Sequence, residues 1–206
     1  MSQGLSRHVD PLLRLALNSA VAVVLYAGVS LAGVTTSVYQ QDHLVQGMTA
    51  AQLVRSMNGS PVHGDHGNAY ASIHPDYTLS VETRERGGIC RANVDVAIHF
   101  QLTLPRAASP GGMGRSTRSA WNGFVNFARN HEAHHRASYT ECARAFVARA
   151  ERLSDRQCFA LSGDIRQMFS AMKRDCEATQ LAYDRSQARV LPGLSLFAMA
   201  RHQRRH

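Results

Sequence analysis

His131-Glu132-Ala133-His134-His135 is a complete H-E-x-x-H. On a helix, residues four apart share a face, so His131 and His135 can offer two imidazoles to one metal ion. Zinc takes such nitrogens at about 2.0–2.1 Å, and a catalytic zinc uses three protein ligands plus a water. Glu132, turned about 100° away on the same helix, would take that water's proton and pass it to a leaving amine. The expected cofactor is therefore Zn2+, with Glu132 as catalytic base. His134 falls off this face and is expected to be solvated or to support the ligands from behind.

The same helix has a plainer reading. Trp121, Phe124, Ala128, His131, His135, Ser138, Cys142 and Phe146 recur at three- and four-residue steps, which puts both histidines on the apolar stripe of a helix spanning Trp121 to Phe146. Core histidines would satisfy that pattern without a metal. A buried pair beside a glutamate needs partners, however, and a metal supplies them.

A third ligand must come from elsewhere. Gly163 to about Gln187 carries a second stripe, Ile165, Met168, Phe169, Met172, Cys176, Thr179 and Tyr183, preceded by a Ser-x-x-Gln capping pattern at Ser154 to Gln157. Two such helices joined by a short connection should pack antiparallel. Counting about 1.5 Å per residue from the turn sets His131 and His135 level with residues 180 to 189. Asp184, beside Tyr183, is the candidate third ligand, and Tyr183 a supporting residue.

The same count places Cys142 roughly 17 Å up the first helix and Cys176 roughly 20 Å up the second. Four cysteines allow three pairings, and this level match favours Cys142 with Cys176, leaving Cys90 with Cys158. No C-x-x-C occurs, so a cysteine zinc site is not expected. Disulfides fit an oxidising compartment.

Residues 1–33 read as a targeting segment. Arg7 and Arg14 precede the uncharged run Leu15 to Gly33, and Ser30-Leu31-Ala32 offers small residues for cleavage. An N-terminal membrane anchor is the competing reading, and Asn18, Ser19 and the Ala and Gly residues weigh against it. Either way the rest is expected to be exported, periplasmic or secreted. About 173 residues remain, enough for one domain over 34–190 and a basic tail over 191–206.

Between them the pattern is strand-rich. Val34 to Gln40 is β-branched, Met48 to Met57 has helical spacing, and Tyr77 to Arg84 and Ile89 to Leu104 alternate around Gly87-Gly88 as an antiparallel hairpin that Pro105 ends. Asn58 to Pro75 reads as a loop with His63, His66 and His74, any of which could bind metal but which solvent more commonly surrounds. His99 lies on the second strand, in the core or facing the site. Arg106 to Gly114 is a loop, and Leu191 to His206 a frayed terminus or short helix. The expected class is α+β, a small antiparallel sheet packed on a long antiparallel helix pair carrying H-E-x-x-H, in the zincin manner.

With these pieces placed, the chain resembles a bacterial family of predicted secreted zinc-dependent proteases (domain of unknown function 922). Gly87 to Cys90, Leu104-Pro105, Trp121 and Phe124 ahead of His131-Glu132-x-x-His135, and Tyr183-Asp184 carry the resemblance, which spans most of residues 35 to 190. It implies a protease. The family's Tyr-Asp pair is followed by Thr-x-His-Gly, whereas Ser186 to Val190 stands here with Arg189 at the histidine position. Asp184 completes the site, a more distant histidine does, or the chain binds zinc weakly and is inactive.

Two functions follow: an exported zinc metallohydrolase that cleaves peptide or protein substrates, or an inactive pseudoprotease that binds an envelope partner. Zinc storage is a weaker third. Glu132 favours the first, since a structural zinc needs no carboxylate there. Net charge is +8 with a sequence pI near 9.9, part of it in the targeting segment and the Arg-rich tail. A scattered solvated surface is the default expectation, with attraction to anionic lipid or cell-wall polymer the alternative. No nucleic-acid motif is present, and no nucleic-acid partner is expected.

Overall fold

The structure is a computed structural model that describes residues 33–205. The expected targeting segment, residues 1–33, with its cleavage and anchor readings, lies outside the described residues except for Gly33, and His206 also lies outside them.

The sheet is built on one long strand, β5 (Ile89–Ala107). Its even-numbered Val94, Val96, Ile98, Phe100 and Leu104 are buried, the period of two that a half-buried strand requires. Strand β4 (Ser72–Arg86) pairs with it antiparallel through a two-residue turn. Gly87 and Gly88 hold φ of 61° and 76° there, left-handed values that close Arg86 against Ile89.

Strand β1 (Val34–Val45) occupies the other side of β5 and runs parallel to it, from Val34 opposite Val96 to Val45 opposite Ala107. The expected antiparallel sheet is therefore mixed. A parallel partner cannot follow through a tight turn: the chain from Gln46 to Ala71 crosses the end of β5 to β4, and the β4–β5 turn then returns β5 between β4 and β1. That crossover holds helix α1 (Ala50–Gly59) and a small hairpin, β2 (Val62–Gly64) with β3 (Gly67–Ala69), in place of the expected loop. Thr49 caps α1 in a capping box with Gln52.

Pro105 does not end β5. Pairing with β4 stops at Thr103, so β5 has a neighbour on one side only at Pro105, and a residue without an N–H is tolerated opposite His43.

Two long helices cover the sheet, α2 (Arg115–Ala150) and α3 (Cys158–Gln187). They run antiparallel, tied by Cys142–Cys176, while Cys90–Cys158 ties α3 to β5. The Ser154–Gln157 capping expectation is corrected: Ser154–Asp155 form a short strand, β6, against Cys90 and Arg91, and α3 starts at Cys158. Asp155 Oδ1 accepts from the Gln157 N–H at 2.7 Å instead.

Helix α2 buries five of the eight expected stripe residues, Trp121, Phe124, Ala128, His135 and Phe146, but its buried line departs from the expected one midway. Ala128, Glu132, His135, Tyr139, Ala143 and Val147 are buried, while His131, Ser138 and Cys142 sit at its margin. Over so long a helix, 3.6 residues per turn carries the face away from a simple three-and-four count.

The terminus is not frayed. Helix α4 (Ser195–Gln203) seals a second apolar cluster with α1 and the start of α2, where Leu196 and Ala200 are 0 % exposed beside Leu53, Trp121 and Phe124. Truncating Leu196 to Ala should cost about 2–5 kcal/mol. Chemical denaturation would measure it, and a change near zero would show that α4 does not close this core. The larger cluster, under the sheet, includes Phe100, Phe146, Ile165 and Phe169.

Among the described residues, no helix is long and apolar enough to cross a membrane. The two disulfides are compatible with an exported protein.

Candidate metal centre

Antiparallel packing brings the middle of α2 against the last turns of α3. His131 and His135 come from α2, Gln180 and Asp184 from α3, and the disulfide below them sets the register.

Asp184 Oδ1 lies 3.0 Å from His131 Nε2 and 2.8 Å from His135 Nε2, and those two nitrogens are 2.9 Å apart. Two imidazole nitrogens and one carboxylate oxygen thus meet at a point, and the three residues form a group that could hold a metal ion. Burial works to raise the Asp184 carboxyl, but hydrogen bonds from both imidazoles hold it well below the usual carboxylate range.

Gln180 shows what that point requires. Its Nε2 donates to Ser138 Oγ at 2.8 Å and to the Cys176 carbonyl at 3.3 Å, so its Oε1, 2.8 Å from His135 Nδ1, acts as an acceptor. His135 therefore carries its proton on Nδ1, and in the neutral ring Nε2 is a bare lone pair aimed at a carboxylate oxygen. Two acceptors at 2.8 Å repel unless a cation or a proton lies between them. Burial opposes a charge on His135, yet the bonds to Asp184 and Gln180 outweigh it and raise its pKa. Zinc fits the same demand: two imidazoles with a carboxylate is one of its catalytic donor sets.

Gln180 was not singled out by the sequence pattern, which ran the stripe through Thr179 and Tyr183; the buried residues instead step by four, Met172, Cys176, Gln180, with the half-buried Asp184 one turn further on. Replacing Gln180 with Leu should weaken metal uptake by the cluster, with zinc as the probe, by about 10- to 100-fold, the usual cost of losing a partner that orients an imidazole. Competition titration against a chelator reads this. Unchanged affinity would mean that His135 needs no orienting partner.

Glu132 is buried beside the cluster, 5 % exposed. Loss of solvent pushes its carboxyl up to about 7, opposed by the His131 and His135 imidazoles and reinforced by Asp184. The cluster opens on a cavity of about 660 Å³, whose wall includes Glu132, Tyr139, His66, Tyr70 and Ile73.

Tyr183 packs against the three histidine rings, stacked on His134 at 3.8 Å and on His131 at 5.0 Å and edge-on to His135. His134 itself is exposed. His131 Nδ1 is buried with no hydrogen-bond partner among the described residues.

The remaining histidines divide. His66, in the β2–β3 turn, reaches the cavity and pairs with Glu177 at 2.6 Å, and Glu177 also accepts from Tyr139 Oη. His74 pairs with Asp65, His63 sits exposed on β2, and His99 is exposed and bonded to Ser37. None of these joins the cluster. Arg189 lies exposed beyond the end of α3.

An α+β chain with a mixed sheet and a histidine–histidine–aspartate group on paired helices is the class defined so far. The chain belongs to the family described as Bacterial protein of unknown function (DUF922), whose model matches residues 40–189. No curated protein and no solved structure matches it significantly.

Proposed function

We propose that this protein is an exported zinc-dependent hydrolase of peptide bonds, a zincin-like enzyme in which His131, His135 and Asp184 hold the metal and Glu132 is the general base. The observation that carries this reading is the convergence of His131 Nε2, His135 Nε2 and Asp184 Oδ1 within 3.0 Å of one another, beside a buried carboxylate and a cavity. When bound, zinc supplies Lewis acidity, which lowers the pKa of a water toward about 7 and polarises a carbonyl.

The chain's own residues do the rest. Glu132 accepts the proton of the attacking water and returns it to the departing amine nitrogen, a shuttle suited to a carboxyl held near neutrality. Gln180 keeps the His135 lone pair pointed at the centre. Tyr183 packs the imidazoles into one orientation.

A peptide suits the cavity better than a compact small molecule. Its wall includes Ala71, Ser72 and Ile73 at the start of β4, an edge strand whose free backbone groups can pair with an extended chain. The protein should bind about one zinc per chain by elemental analysis and cleave unfolded protein substrates, with both properties lost on chelation and restored by zinc. A chain that takes up no zinc on reconstitution would overturn the hydrolase. Bound zinc without cleavage would leave a partner-binding pseudoprotease.

A further inference from the structure

The end of the molecule remote from the metal centre has an unusual surface. Phe159, in the first turn of α3, is 93 % exposed, and Ile89, at the β4–β5 turn, is 39 % exposed. A phenylalanine so bare gains nothing from folding, since no apolar area is removed from water there. The two lie next to Cys158 and Cys90, which the disulfide joins, so both apolar side chains belong to one rigid tip.

Arginines surround that tip. Arg84, Arg86 and Arg91 flank the β4–β5 turn, Arg149 lies in the last turn of α2, and Arg152 and Arg156 lie along the α2–α3 connection, which β6 pairs onto Cys90 and Arg91. All six are exposed. Against the six stand four carboxylates, Glu82, Glu85, Glu151 and Asp155; Glu82 pairs with Arg84 at 3.8 Å, and Asp155 is engaged with the Gln157 N–H. An exposed aromatic ringed by a positive excess matches an anionic membrane surface: the ring enters the acyl boundary and the guanidiniums meet phosphates.

The course of the chain agrees. Strand β1 starts opposite Val96, seven residues along β5 from Ile89, and runs away from the tip, so the chain arrives at Gly33 on the tip's side of the sheet. It arrives from the uncharged run Leu15 to Gly33. The cavity lies the other way. Ser72 lines it, and Arg86 is fourteen residues further along β4, roughly 45 Å at strand rise. A molecule seated on this tip would hold its cavity away from the bilayer.

We propose that the tip formed by the β4–β5 turn and the α2–α3 connection docks on an anionic phospholipid bilayer, with Phe159 and Ile89 inserted and the flanking arginines on lipid phosphates. This docking does not depend on the hydrolase reading.

The test uses the full chain, so the readout is the position of residue 159 and not binding itself. A Phe159→Trp chain is mixed with vesicles of phosphatidylglycerol and phosphatidylcholine whose acyl chains are brominated. The native Trp121, 5 % exposed in the core, provides the background through the unsubstituted protein. The new tryptophan should shift to the blue and be quenched on anionic vesicles, and far less on phosphatidylcholine alone. Adding Arg152→Gln and Arg156→Gln should weaken the quenching titration by about 5-fold per arginine. No quenching on vesicles that hold the chain, or quenching indifferent to lipid charge and to the arginines, would overturn the proposal.

Discussion

A Glu132→Gln chain is expected to keep its zinc and lose hydrolysis by about 10²- to 10⁴-fold, the range that general acid–base catalysis contributes. Glutamine preserves the shape of the buried side chain but cannot accept a proton from water, so the attacking oxygen loses its base and the leaving amine its acid. The metal should stay because Glu132 is not in the group formed by His131, His135 and Asp184. Stability should hold or rise slightly, since a carboxyl whose burial already pushes it to about 7 is replaced by a neutral group. Turnover and zinc content measured on one preparation separate the cases. Zinc lost together with activity would make Glu132 a ligand, and full activity would remove it from the chemistry.

His135→Ala should have the larger effect on the metal. It deletes one of two imidazoles and leaves both Gln180 Oε1 and Asp184 without their closest partner. Zinc affinity should fall by more than the roughly 10- to 100-fold that an orienting partner such as Gln180 controls. The metal-dependent gain in stability should vanish with it. For a native site at a thousand times its dissociation constant that gain is about 4 kcal/mol. Thermal unfolding with zinc and with chelator gives the comparison directly: two separated midpoints in the native chain and coincident ones in the variant. Coincident midpoints in the native chain would mean that His131 and His135 are core residues bridged by a proton on Asp184, the plainer reading of the helix pattern.

Part of the candidate site was written locally. H-E-x-x-H places two imidazoles on one helical face by spacing alone, and helical rise is regular enough to bring 180–189 level with them across an antiparallel partner. The same rise puts Cys142 beside Cys176, the pairing that the structure has. Alternation located β4 and β5, and a Gly-Gly pair between them admits few turns.

What the sequence could not decide were relations between distant segments. Alternation says which side chains face inward but not which strand lies alongside, so the parallel seat of β1 on β5 followed only from the crossover through α1 and the β2–β3 hairpin. Burial of α4 depended on a groove made by α1 and the start of α2, which no local feature of residues 195–203 announces. Gln180 is an ordinary helix residue until packing sets it 2.8 Å from His135. Spacing along one helix thus determined the two imidazoles and the neighbouring carboxylate, because local backbone geometry sets those relations. The helical count reached Asp184 as a candidate, but its place beside both imidazoles, the residue that orients His135, the cavity and the exposed tip at the far end came only with tertiary packing, which sets the distances between elements.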